Sequence, residues 1–221
     1  YKRIGFGILI IALITFFVFY FTSSKSERGD LGAINPAFGE YVSSYTAGVI
    51  SSGSPIRIIL TEDVVDLDMV GKEASTKLFS LKPSTAGKVV WLDTRTVEFQ
   101  PTSRLISGQI YEIDFYLSKL MTVAKGLETF NYSLRVIPQN FGLQVDNILP
   151  YVKTELTRQK IEGIVSTADY AEADAIKKIS VAQQDGKMLS ISWAHASDGK
   201  QHAFIVEDVL RKEQASVVKL S

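Results

Sequence analysis

The chain has no cysteine among its 221 residues. That excludes structural disulfides, a thiolate metal site, a cysteine nucleophile and a lipid anchor carried on cysteine within these residues. Histidine is nearly as scarce, with two copies, His195 and His202. Neither sign of charge is in excess: Lys+Arg and Asp+Glu stand at 24 each, so no electrostatic argument favours nucleic acid or an anionic surface as a partner. No Gly-x-Ser-x-Gly elbow exposes a serine nucleophile, and no glycine-rich loop is placed to cradle a phosphate.

A few residues nonetheless invite a chemical reading. His195 and His202 flank an Asp198-Gly199 turn and can approach one another across a hairpin, a geometry that binds a metal once further ligands join it. No third ligand is in view. Glu62, Asp63, Asp66 and Asp68 offer oxygen ligands but lack the glycine and terminal glutamate of a calcium loop, and read as a solvated turn. Trp91 and Trp193 read as core anchors. No catalytic, cofactor-binding or metal-ligating residue is therefore assigned, no cofactor is expected, and the chain is not read as an enzyme.

What the sequence does contain begins with a long apolar run. From Ile4 to Ser24 there is no charged residue, and about 20 such residues in a helix span a hydrocarbon layer of ~30 Å. Lys2 and Arg3 precede the run, which places the N-terminus in the cytoplasm and everything after Lys25 outside it. Were the membrane one of a double-membraned envelope, a helical span of this kind would point to the inner one, since outer-membrane proteins usually span as barrels. Residues 1–24 are thus expected to be an uncleaved transmembrane anchor. The competing reading is a cleaved signal peptide ending near Thr22-Ser23-Ser24; the apolar run is longer than the 7–15 residues of a usual signal core.

Residues 25–35 are polar and rich in Gly and Ser, as in a flexible linker. Asn35-Pro36 forms a helix-start signal, and Phe38, Tyr41, Val42, Tyr45 and Val49 recur at helical spacing. A short amphipathic helix is expected within residues 36–53, its aromatic stripe covering one end of a neighbouring core.

From Ser54 the period changes to two. Ile56, Ile58 and Leu60 alternate with polar or outward positions, Phe79 and Leu81 begin a strand stopped at Pro83, and Gly87 to Leu92 forms the next. Asp93-Thr-Arg-Thr is a polar turn, Val97 and Phe99 point to one face of the following strand, and Pro101 ends it. Tyr111, Ile113, Phe115 and Leu117 share a face, as do Phe130, Tyr132, Leu134 and Val136. This is an Ig-like sandwich pattern over residues 54–138. A second β domain is expected over 139–221, with strands at Leu143–Val145, around Gly163, at Ile179–Val181, Met188–Trp193 and Ala203–Val209. A brief helix is expected near Tyr170–Ile179, and Asp185-Gly186 and Asp198-Gly199 are hairpin signals. The expected architecture is mainly β: a transmembrane helix followed by two sandwich domains.

The run Trp91-x-Asp93-x-x-Thr96-x-x-Phe99-x-Pro101, followed by Leu105-x-x-Gly108-x-x-Tyr111, resembles the first macroglobulin-type Ig domain of bacterial alpha-2-macroglobulin proteins. The Ser54-Pro-Ile-Arg-Ile strand, Phe79-x-Leu81-x-Pro83 and Leu127-Glu-Thr-Phe130 match that pattern too. The second domain, with Trp193-x-His195 and Asp198-Gly199, is similar to the domain that follows in Bacteroidetes-type members. The resemblance implies the N-terminal stem of a long envelope protease inhibitor, anchored by one membrane helix, whose later domains trap target proteases in the periplasm. The bait region and the Cys-Gly-Glu-Gln thioester motif of that family do not occur in this chain. Tyr1 at the start and the alternating Val217–Ser221 at the end are read as marking the N-terminal portion of a longer polypeptide. Two other functions stay open from the residues alone: an exported Ig-like scaffold or accessory subunit of an envelope complex, and the non-catalytic start of an envelope hydrolase.

Overall fold

Apolar side chains at every second position dominate the residues after Val42, and strands are what that pattern builds. The structure, a computed structural model, describes residues 34–221. The expected anchor at 1–24 and most of the linker at 25–35 lie outside the described residues. Among the described residues no helix is long and apolar enough to cross a membrane.

Eight strands make the first sandwich: β1 (Val42–Tyr45), β2 (Gly48–Ile50), β3 (Ile56–Leu60), β4 (Phe79–Lys82), β5 (Gly87–Trp91), β6 (Thr96–Pro101), β7 (Ile110–Phe115) and β8 (Phe130–Val136). One sheet has the order β1-β3-β6-β5 and the other β2-β8-β7-β4. Every pairing is antiparallel except β2 with β8. Between the sheets Ile56, Ile58, Leu60, Trp91, Val97, Ile113, Phe115, Leu134 and Val136 are buried almost completely. At roughly 1.5–3 kcal/mol per buried large side chain, this packing is the main stabilising term of the unit.

The Trp91-to-Tyr111 run works as its spacing suggests. The Asp93 carboxylate accepts the amides of Arg95 at 2.9 Å and Thr96 at 2.7 Å, closing the turn between β5 and β6. The Arg95 amide leads the causes that hold Asp93 below the usual carboxylate range. Leu105 is buried and Gly108 takes a φ of +73°, a conformation that costs other residues strain. The Tyr111 hydroxyl, on a buried ring, accepts the Ile106 amide at 3.1 Å.

The expected helix within 36–53 is corrected. Asn35 does cap a helical turn, accepting the Ala37 amide at 3.0 Å with Pro36 at its first position. That turn is a 3-10 segment ending at Glu40, and the chain continues as β1 and β2. Val42 and Tyr45 flank Ser43-Ser44, and Ser43 donates to strand β3 at the Ile59 carbonyl. Pairing with β3 and β8 satisfies backbone groups that an isolated short helix would leave to water. The aromatic stripe does cover a core: Phe38 is buried edge-on to Phe130, their centroids 5.0 Å apart. The packing of the first sandwich thus takes in residues before Ser54 as well, Ile34, Phe38, Val42 and Ile50 among them.

The remaining elements are β9 (Phe141–Val152), β10 (Glu155–Thr167), α1 (Ala173–Ile179), β11 (Ala182–Gln184), β12 (Lys187–Leu189), β13 (Ile191–His195), β14 (Gln201–Leu210) and β15 (Val218–Leu220). They form a four-stranded sheet, β13-β14-β10-β9, and a small one, β12-β11-β15. The strand expected at Ile179–Val181 is corrected: Ile179 ends α1, and the strand begins at Ala182. The Asp185-Gly186 hairpin is as expected, with both residues at positive φ and Gln184 paired with Lys187. Gly163 leaves room for the Gln144 carbonyl and the Phe204 ring; a Cβ there would clash with both.

Candidate functional site

Two constellations outside the cores bring polar side chains together. The first is the junction between the sandwiches, built on the segment that leaves β8 and on the loop after β10. Asp169, in that loop, is 2% exposed. Its carboxylate accepts the Ser51 hydroxyl and the Ser52 amide, each at 2.6 Å, both from the turn after β2. Gln139, in the linker between β8 and β9, clamps the same loop from the other side. Its amide nitrogen donates to the carbonyls of Asp169 and Tyr170, each at 3.0 Å, and its oxygen accepts the Asp169 amide at 3.0 Å. Arg104, from the first sandwich, lays its guanidinium over the Tyr170 ring, 3.5 Å from the centroid, a cation–π contact.

Burial alone would push the Asp169 carboxyl up. The Ser51 hydroxyl and the amides of Ser52 and Tyr170 outweigh it and hold the group at about 2. A carboxylate held below its unfolded value stabilises the fold above pH ~4, and that contribution fades as the pH falls toward 2. At neutral pH this is a charged latch, and its Ser51 and Ser52 donors come from the other sandwich.

The second constellation is the histidine pair. His195 on β13 and His202 on β14 are direct ladder partners, and their Nδ1 atoms lie 2.8 Å apart. One ring must donate and the other accept, so the contact admits one proton and not two. The Nε2 atoms of both are buried without a hydrogen-bond partner. Trp193 stacks on His195 at 6.0 Å between centroids. His202 is fully buried, and desolvation followed by the His195 charge pulls it below the ordinary histidine value, against the Gly199 backbone and the Asp198 carboxylate. The hairpin does bring the two histidines together, as their spacing suggests. Among the described residues no group of three or more His, Cys, Asp or Glu side chains is placed to hold a metal.

The acidic cluster does not converge. Asp63 accepts the Thr94 hydroxyl at 2.5 Å, Asp68 pairs with Lys72 at 3.5 Å, and Asp66 heads the 3-10 turn at Leu67–Met69. Trp91 is a core residue at 2% exposure, and Trp193 is half-buried against Phe204. The junction residues Ser51, Arg104, Gln139, Asp169 and Tyr170 carry no motif. Local sequence offers no sign of them, because each partner lies about 30 to 120 positions away.

No protein-family profile matches the chain, and no curated protein matches it. Among solved structures, L,D-transpeptidase 3 from Mycobacterium tuberculosis in complex with a faropenem-derived adduct is similar at 11% identity and a TM-score of 0.32, over 79% of this chain and 77% of that one. An L,D-transpeptidase from Mycobacterium tuberculosis H37Rv is similar at 12% identity and a TM-score of 0.32, over 81% and 79%. A likeness at this level assigns the chain neither fold nor activity.

Proposed function

We propose that this chain is a non-catalytic stem: two Ig-like sandwiches held as one stiff unit, carried on a single membrane helix at residues 1–24, that supports the working domains of an alpha-2-macroglobulin-like protease trap in the periplasm. The observation that carries the stem reading is the locked junction. A buried carboxylate with two donors from the neighbouring sandwich, a glutamine clamp and a stacked arginine resist bending in a way a bare linker does not. The Tyr111 hydroxyl bonded back to the Ile106 amide supports the Ig-like assignment, since such sandwiches carry a tyrosine corner of this form. The trap itself rests on the sequence resemblance.

The test is a capture assay on the native polypeptide extracted from its membrane. A trap holds an added protease so that it still cleaves a small peptide but no longer a large protein, and the stem is recovered in the same particle. If the protease keeps its full activity on protein substrates and elutes apart from the stem, the trap reading fails. The chain would then be an exported scaffold subunit of an envelope complex, and the stiff two-sandwich stem would stand.

A further inference from the structure

The histidine pair closes the β13–β14 hairpin at its turn, and the junction loop rests on that turn. The Ala196 amide bonds the Gln201 carbonyl at 2.9 Å, the Gly199 amide the Ala196 carbonyl at 3.0 Å, and the Lys200 amide the Asp198 carboxylate at 2.9 Å. Two carbonyls of the turn then hold the loop after β10: Lys200 accepts the Thr167 amide and Gly199 the Ala171 amide, each at 2.8 Å. Tyr170 lies so close over Gly199 that a Cβ there would clash with its ring. That same ring carries Arg104 of the first sandwich, and Asp169 beside it holds Ser51 and Ser52. On its other side His202 pairs with Val165, two residues before Thr167. A short run of backbone therefore joins the histidines to the latch.

The pair is built to stay neutral. With one Nδ1 donating to the other at 2.8 Å, a first added proton goes to the Nε2 of the donor ring, which is buried and has no acceptor. A second proton leaves two cationic rings with N–H facing N–H, and the contact cannot survive it. The surroundings offer little to offset these charges. From β10 the ladder neighbour of His202 is the uncharged Val165, and from β13 it is His195 itself, with Trp193 stacked on that ring. The Asp198 carboxylate and the Gly199 backbone favour a charge on His202, but burial and the His195 charge outweigh them. We propose that the histidine pair is an acid release for the junction. Neutral, it closes the hairpin and supports the loop that carries Asp169 and Tyr170; protonated on both rings, it parts, the turn loosens and the two sandwiches bend against one another. The release rests on the locked junction and not on the protease trap.

The experiment uses the full chain, which has no cysteine of its own. Spin labels on Lys88→Cys and Lys187→Cys, one on each sandwich, read the junction by double electron–electron resonance at pH ~7.5 and ~5, either side of the ordinary histidine value. Asp169, held at about 2, keeps its charge at both, so the latch itself does not titrate. The parent is expected to show one narrow distance distribution at the higher pH, to lose it at the lower, and to regain it on return, with circular dichroism unchanged throughout. His195→Gln, at a half-buried position where an amide can still bond His202, and His202→Phe are each expected to keep the narrow distribution at pH ~5. A parent distribution that is narrow at both pH values overturns the release and leaves the lock standing. One already broad at pH ~7.5 overturns both. Broadening that persists in the two histidine variants, or that comes with a loss of circular dichroism, also overturns the release, by placing the acid response in other groups or in unfolding.

Discussion

The two sandwiches are each built from two β-sheets and differ in what holds them. In the first, twenty-two buried side chains form one cluster; in the second, five do. The first has aromatic contacts threaded through it, Phe38 to Phe130 to Tyr132 and Phe79 to Phe115. The second relies on Phe204 and Val206, on the buried His202 paired with His195, and on a buried glutamine. Gln184 donates to the Leu210 carbonyl at 2.8 Å and accepts its amide at 2.9 Å. Where apolar burial is thin, specific polar contacts take over, and these are more easily broken by a single change or by pH. The Asp169 latch then lets the weaker unit lean on the stronger one.

Each sandwich holds one tryptophan, Trp91 in the first and Trp193 in the second, so single-tryptophan variants can follow them separately. The largest expected effect comes from the strong core. Phe115→Ala removes a fully buried ring and is expected to cost about 3–5 kcal/mol, lowering the denaturant midpoint at both probes because the second sandwich loses its support. Asp169→Ala leaves the buried Ser52 amide without a partner and is expected to cost about 2–3 kcal/mol. Its signature is a split: the Trp193 transition moves to lower denaturant and the Trp91 transition stays. A single coincident transition in that variant would show that the latch does not couple the two.

Acid sharpens the contrast further. His202 faces His195 across the ladder, Asp198 in the turn and the uncharged Val165 on β10, and its folded value is lowered by burial first. A histidine held below its unfolded value near 6.5 stabilises the fold at higher pH, and that contribution is lost as the pH falls from about 6.5 through the lowered value. The Trp193 transition is therefore expected to weaken between neutrality and mild acid while the Trp91 transition does not, and His202→Phe is expected to flatten that dependence. The smallest effect is at the surface. Lys72→Ala breaks an exposed pair with Asp68, and both midpoints are expected to move by less than about 0.5 kcal/mol.

How far the sequence spoke follows the same division. From β3 to β8 the strands of the first sandwich are legible within a residue or two, because apolar positions recur at period two between turn residues such as Gly, Pro and Asp. Asp93, Gly108 and Tyr111 make local contacts that their spacing announces. Val42 to Ile50 misled, because Phe38, Tyr41, Val42, Tyr45 and Val49 satisfy a helical period, while the pairing that decides the matter lies with β3 and β8, far along the chain. The junction was not legible at all: Asp169 reads as one more loop aspartate until Ser51 and Ser52 are folded against it. The histidine pair was half legible, since the hairpin signal places the rings together but gives no hint that both Nε2 atoms would be buried.

The most direct test of the locked junction is the distance between the sandwiches. Spin labels on Lys88→Cys and Lys187→Cys, exposed positions of a chain without other cysteines, report it by double electron–electron resonance. The account predicts one narrow distance distribution that broadens when Asp169→Ala is added. A distribution already broad in the parent, or unchanged by the loss of Asp169, would contradict it.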